Sequence, residues 1–98
     1  MAKSAQQVYD EIVAFIKKQG RAYKDWYCGI ASDPKERLFT EHNVPKENGW
    51  IYRQCNNDTD ARKVEKALIE LGCDGAPGGG DETSVYVYAY IKRATTNP

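Results

Sequence analysis

No stretch of this sequence approaches the roughly 20 consecutive apolar residues of a membrane-spanning helix, and Met1 to Gln7 lacks the apolar run of a secretory leader. These absences predict a cytoplasmic protein with no membrane partner. Net charge is missing too: 14 Lys plus Arg offset 14 Asp plus Glu, so the chain has no long-range attraction for polyanions. Any binding of nucleic acid must come from local placement of charge. The cysteines Cys28, Cys55 and Cys73 are odd in number and form no C-x-x-C pair. That pattern signals neither a disulfide framework nor a zinc knuckle, and predicts reduced, at least partly buried thiols. Internal repeats are also lacking. What remains is 98 residues, 41% hydrophobic and 29% charged, which is too little for two cores and too apolar for a disordered tail. One domain over residues 1–98 is expected.

Ser4 and Gln7 form a capping-box pair, and Val8, Ile12, Phe15 and Ile16 recur at helical spacing until Gly20. A first helix is predicted over roughly residues 5–19. Lys17, Lys18, Arg21 and Lys24 crowd its end, either as a dipole-matched terminus or as a phosphate-binding patch. Asp25 to Ala31 reads as a strand, closed by Ser32, Asp33 and Pro34. Asp33 and Pro34 open a short second helix that ends near His42. After the turn residues 43–49, Trp50 to Gln54 reads as a second strand. Residues 56–59 supply caps for a third helix with a Val64, Leu68 and Leu71 stripe ending at Gly72.

Residues 73–84 form a glycine-rich connection expected to be flexible. Beyond it, Val85, Val87, Ala89 and Ile91 alternate with Tyr86, Tyr88, Tyr90 and Lys92 in a last strand, and residues 94–98 look like a frayed tail. The order α-β-α-β-α-β predicts an α+β fold, a small three-stranded twisted sheet flanked by three helices. Periodicity leaves the strand directions open.

Tyr27, Cys28 and Gly29 at a strand end, with Arg37 on the next helix, place a phenol, a bare backbone position and a guanidinium near one another. A guanidinium suits phosphate oxygens, and a glycine lets a bulky ligand approach. The plain reading pairs Arg37 with Asp33 or Glu41, each four residues away. Residues 75–80 lack the Lys-Ser/Thr ending of a P-loop, so they read as a mobile connection or as a loop packed close to a ligand. The stripe of Tyr86, Tyr88 and Tyr90 can stack nucleobases, Tyr88 foremost, or lie under a helix.

Read together, two segments resemble the GIY-YIG nuclease family. In residues 27–43 (YCGIASDPKERLFTEHN), Tyr27-Cys28-Gly29 stands for the second triplet of the signature, and Arg37, eight residues after the glycine, for the family's arginine. In residues 61–69 (ARKVEKALI), Glu65 matches the metal-binding glutamate. The resemblance spans roughly residues 26–72. It departs from the family in having no GIY-like strand before Tyr27 and no late asparagine after the third helix. The first tyrosine is thus unassigned, and we expect residues 85–91 to fill the vacant sheet position, with Tyr86, Tyr88 or Tyr90 supplying the phenol.

The resemblance implies a divalent-metal-dependent endonuclease hydrolysing DNA or RNA. Glu65 would hold Mg²⁺ or Mn²⁺, Arg37 would neutralise phosphate charge, Tyr27 or a last-strand tyrosine would position water, and His42 would shuttle a proton. Glu65 has a plain alternative as an exposed helix residue three positions from Arg62, and a lone histidine also serves as a cap or pairing group. The rival from another class is a non-catalytic module that uses the same sheet to bind a protein or nucleic-acid partner.

Overall fold

The computed structural model describes residues 2–76 and 78–98. Helix α1 spans Ala5–Gln19, opened by the reciprocal Ser4–Gln7 capping box and closed by Gly20 at φ 75°. A 3₁₀ turn at Tyr23–Asp25 leads into β1, Trp26–Ala31. A π-helical segment, Glu36–Glu41, precedes β2 at Trp50–Gln54. Helix α2, Asp58–Leu71, starts where the Asn57 side chain accepts the Asp60 N–H. It is followed by the two-residue β3, Asp74–Gly75, and by β4, Tyr86–Ile91. The α+β expectation holds, but among the described residues the sheet has four strands and not three, in the order β2-β4-β1-β3. The additional strand lies inside the connection expected to be flexible. There Asp74 and Gly75 pair parallel to Tyr27 and Cys28, because the chain leaving the α2 cap runs alongside the β1 edge.

The last strand in sequence sits inside the sheet, antiparallel to β1 on one side and β2 on the other. Its alternation explains this position. Val87, Ala89 and Ile91 face the helices, packed with Val8, Ile12 and Ile16 of α1 and with Ala61, Val64 and Leu68 of α2. Tyr88 and Tyr90 face the other way, under Leu38 and Val44. A strand with apolar or aromatic side chains on both faces belongs where both faces are covered. Cys28, Cys55 and Cys73 are buried and unbridged, as expected.

Two further expectations are corrected. The second helix is not a regular α-helix. Asp33 does cap it, its carboxylate accepting the Glu36 N–H at 3.1 Å, yet His42 N–H bonds back to Arg37 O and Val44 N–H to Leu38 O, both at 2.9 Å. The C-terminal residues are docked and not frayed. Thr96 is buried, Asn97 N–H donates to His42 O at 2.7 Å, and Thr95 O accepts from the Asn43 side chain at 3.0 Å. Among the described residues, no helix is long and apolar enough to cross a membrane.

Candidate active site

Among the described residues β3 pairs with only Tyr27 and Cys28, so on that side no strand pairs with β1 from Gly29 onward. Side chains from both faces of the sheet can meet at this gap. A hollow of about 120 Å³ opens there, lined by Tyr27, Gly29, Arg37, His42, Glu65 and Tyr88 and rimmed by Ala76 and Gly79. Glu65 arrives from the helical layer, Arg37 and His42 from the π-helical segment, and the two tyrosines from the opposite sheet face.

The widened turn is what brings Arg37 and His42 to one wall. At regular α-helical spacing, side chains five residues apart point about 140° away from each other. With His42 N–H bonded to Arg37 O, five residues close one turn, and both side chains line the hollow. Single π-turns of this kind recur at functional sites. Arg37 pairs with Glu41 at 3.3 Å and keeps partial solvent exposure, so of its two anticipated partners only Glu41 is engaged.

Gly29 is directly opposite Tyr88. The tyrosine ring lies over the space a side chain would fill, since a Cβ on Gly29 would stand 2.5 Å from the phenolic oxygen and 2.7 Å from Cζ. Tyr88 is 2% exposed. Its ring therefore has no free face on which to stack a base, and what it presents to the hollow is its hydroxyl. Of the three tyrosines proposed to supply the missing phenol, Tyr88 is the one that lines the hollow. Gly29→Ala is expected to cost about 1–3 kcal/mol by overpacking and to displace that hydroxyl, measurable as a lower urea midpoint.

His42 Nε2 is 2.8 Å from the Tyr88 hydroxyl, while Nδ1 faces the Asn97 carbonyl oxygen and lies 3.1 Å from the Tyr90 hydroxyl. Tyr27 packs against the same imidazole, ring centroids 5.1 Å apart. Burial raises the phenols of Tyr88 and Tyr90 well above the ordinary tyrosine range, and it raises that of Tyr27 too. All three are neutral near pH 7.

Glu65 is 4% exposed. Desolvation raises its carboxyl above the ordinary carboxylate range, against a smaller opposing pull from Arg62. The plain alternative for this residue does not hold, because Arg62 turns to Asp58 at 3.5 Å and to Gly79 O at 3.0 Å. Among the described residues no side-chain donor pairs with the Glu65 carboxylate, and no group of three or more His, Cys, Asp or Glu gathers to hold a metal. A single carboxylate aimed into a hollow beside a guanidinium still fits a hard divalent cation, which takes its remaining oxygens from water and phosphate.

The sequence-based candidates thus separate into two groups. Tyr27, Arg37, His42, Glu65 and Tyr88 converge, whereas Lys17, Lys18, Arg21 and Lys24 are exposed at and beyond the end of α1 and line no part of the hollow. Sequence reasoning missed Tyr90 as a partner of His42, and also Asn97. The tyrosine stripe held a signal for the first; nothing local signals the second. No family model matches the chain, and neither does any curated protein or solved structure.

Proposed function

We propose that the protein is a divergent relative of the GIY-YIG nucleases that hydrolyses phosphodiesters in DNA or RNA with the help of one divalent cation. The observation that carries this reading is the convergence of Tyr27, Arg37, His42, Glu65 and Tyr88 on one hollow beside β1. At about 120 Å³ it has the volume of a few water molecules, enough for a phosphate group with part of its hydration.

Arg37 holds the non-bridging phosphate oxygens, and its charge offsets the negative charge that grows as the nucleophile arrives. Glu65 is the residue that would hold Mg²⁺ or Mn²⁺. When bound, such a cation supplies neutralisation of the leaving oxygen. Tyr88 is too strongly protonated to act as a phenolate, so it works as a relay. The attacking water gives a proton to the Tyr88 oxygen while the Tyr88 proton passes to His42 Nε2. The new oxygen–phosphorus bond forms as the bond to the leaving oxygen breaks, and that oxygen keeps the electron pair and takes a proton from solvent water. Tyr27 walls the hollow and packs the imidazole. The exposed cluster of Lys17, Lys18, Arg21 and Lys24 offers contacts to a phosphate backbone.

The test is incubation of the full chain with plasmid DNA and with structured RNA, with and without Mg²⁺ or Mn²⁺. Cleavage is expected only with metal, and Arg37→Ala is expected to slow it about 10²-fold. If neither nucleic acid is cut, or if Arg37→Ala cuts like wild type, the proposal fails. The non-catalytic interaction module would then be the remaining reading.

A further inference from the structure

We infer that the backbone carbonyl of Asn97 is a positioning group for His42, fixing which ring nitrogen carries the proton and so leaving the other free for Tyr88. The inference rests on the phosphodiesterase reading for its purpose, but its geometry stands independently. A carbonyl oxygen only accepts hydrogen bonds, so the His42 Nδ1 that faces Asn97 O must bear the proton. The neutral ring then has its lone pair on Nε2, where the Tyr88 hydroxyl donates at 2.8 Å. The Tyr90 oxygen, 3.1 Å from Nδ1, is a second acceptor for the same proton.

The segment that delivers this carbonyl is built into the fold. Thr96 Oγ1 accepts the Arg93 N–H at 3.0 Å and donates to Arg93 O at 2.9 Å, closing a tight turn. Asn43, at φ 55°, turns the chain just after His42 and ties its side chain to Thr95 O. The Asn97 N–H completes the clamp by donating to His42 O at 2.7 Å. His42 is thus held through both backbone and ring by one short stretch of chain. In hydrolytic sites that pair an imidazole with a hydroxyl, the imidazole is commonly oriented by a carboxylate on its far nitrogen. Here a neutral carbonyl does this, so what Asn97 offers the imidazolium formed during the relay is a hydrogen bond and not an ion pair.

The charged groups around the ring limit what else could set its state. Arg37 and Glu41 lie on its own segment and pair with each other. Glu65 reaches the hollow from α2. Tyr27 from β1 and Tyr88 and Tyr90 from β4 contribute neutral phenols.

Because His42 is the chain's single histidine, ¹⁵N spectra of the imidazole report on it without assignment. The full chain is expected to give the form with Nδ1 protonated and Nε2 bare. A chain stopped after Thr96, with folding checked by far-UV circular dichroism, is expected to give a mixture of both tautomers and to lose at least tenfold in cleavage rate. A chain stopped after Asn97 provides the second variant, since it keeps the acceptor but turns it into a carboxylate. The tautomer is expected to persist there. A full chain lacking the Nδ1-protonated form, or an unchanged tautomer after removal of Asn97, overturns the inference. The expected tautomers in a chain that cuts nothing support the positioning role and overturn the phosphodiesterase reading instead.

Discussion

Glu65→Gln is expected to stabilise the protein at neutral pH while reducing metal-dependent cleavage by about 10²–10³-fold. The two effects share one cause. A carboxylate largely withdrawn from water is less favourable to keep ionised, and this desolvation pushes the Glu65 carboxyl above the ordinary range. The sign follows from linkage. The folded protein holds this proton more tightly than the unfolded chain does. The resulting stability is fully present below the unfolded carboxyl's range and is lost as pH rises through the folded value. Glutamine removes this dependence and keeps the shape. Urea unfolding from acid to neutral pH checks it: wild type should lose stability across that range relative to Glu65→Gln. A variant less stable than wild type at neutral pH would make Glu65 a structural anchor and overturn this expectation.

Tyr88→Phe keeps the ring over Gly29 and deletes only the hydroxyl, so it separates packing from proton transfer. Cleavage is expected to fall about 10²–10⁴-fold, the range for loss of general acid–base assistance. His42 Nε2 is left without its donor inside a buried site, at a cost of about 1–3 kcal/mol in unfolding free energy. The sharper check is the double variant. Under the proposed relay, His42→Ala added to Tyr88→Phe should lower the rate little further, whereas independent roles would multiply the losses. Multiplicative losses would rule out the relay.

Helix α1 and strand β2 match their expected bounds, and β1, α2 and β4 lie within a residue or so of theirs. These segments carry strong local signals: a capping box in α1, β-branched and aromatic residues at Trp50–Gln54, a two-faced alternation in β4. Strand β3 was not legible, because two residues have no periodicity and only the proximity of β1 makes them a strand. The π-turn was not legible either. Residues 33–42 have an ordinary helical pattern, and the widened bonding goes with the packing of Leu38 and Val44 over Tyr88 and Tyr90, a long-range contact.

The sequence by itself determined which residue types were on hand for the proposed phosphate chemistry, and it marked Tyr27, Gly29, Arg37 and Glu65 on three separate elements. Whether they meet was decided by tertiary structure. The hollow exists because β3 stops after two residues, because Gly29 leaves room for a ring from a strand nearly sixty residues later, and because five residues of a widened turn align Arg37 with His42. The C-terminal segment was the clearest reversal. Its polar residues have no local pattern, and they are ordered by hydrogen bonds to His42 and Asn43, contacts between positions more than fifty residues apart in the chain.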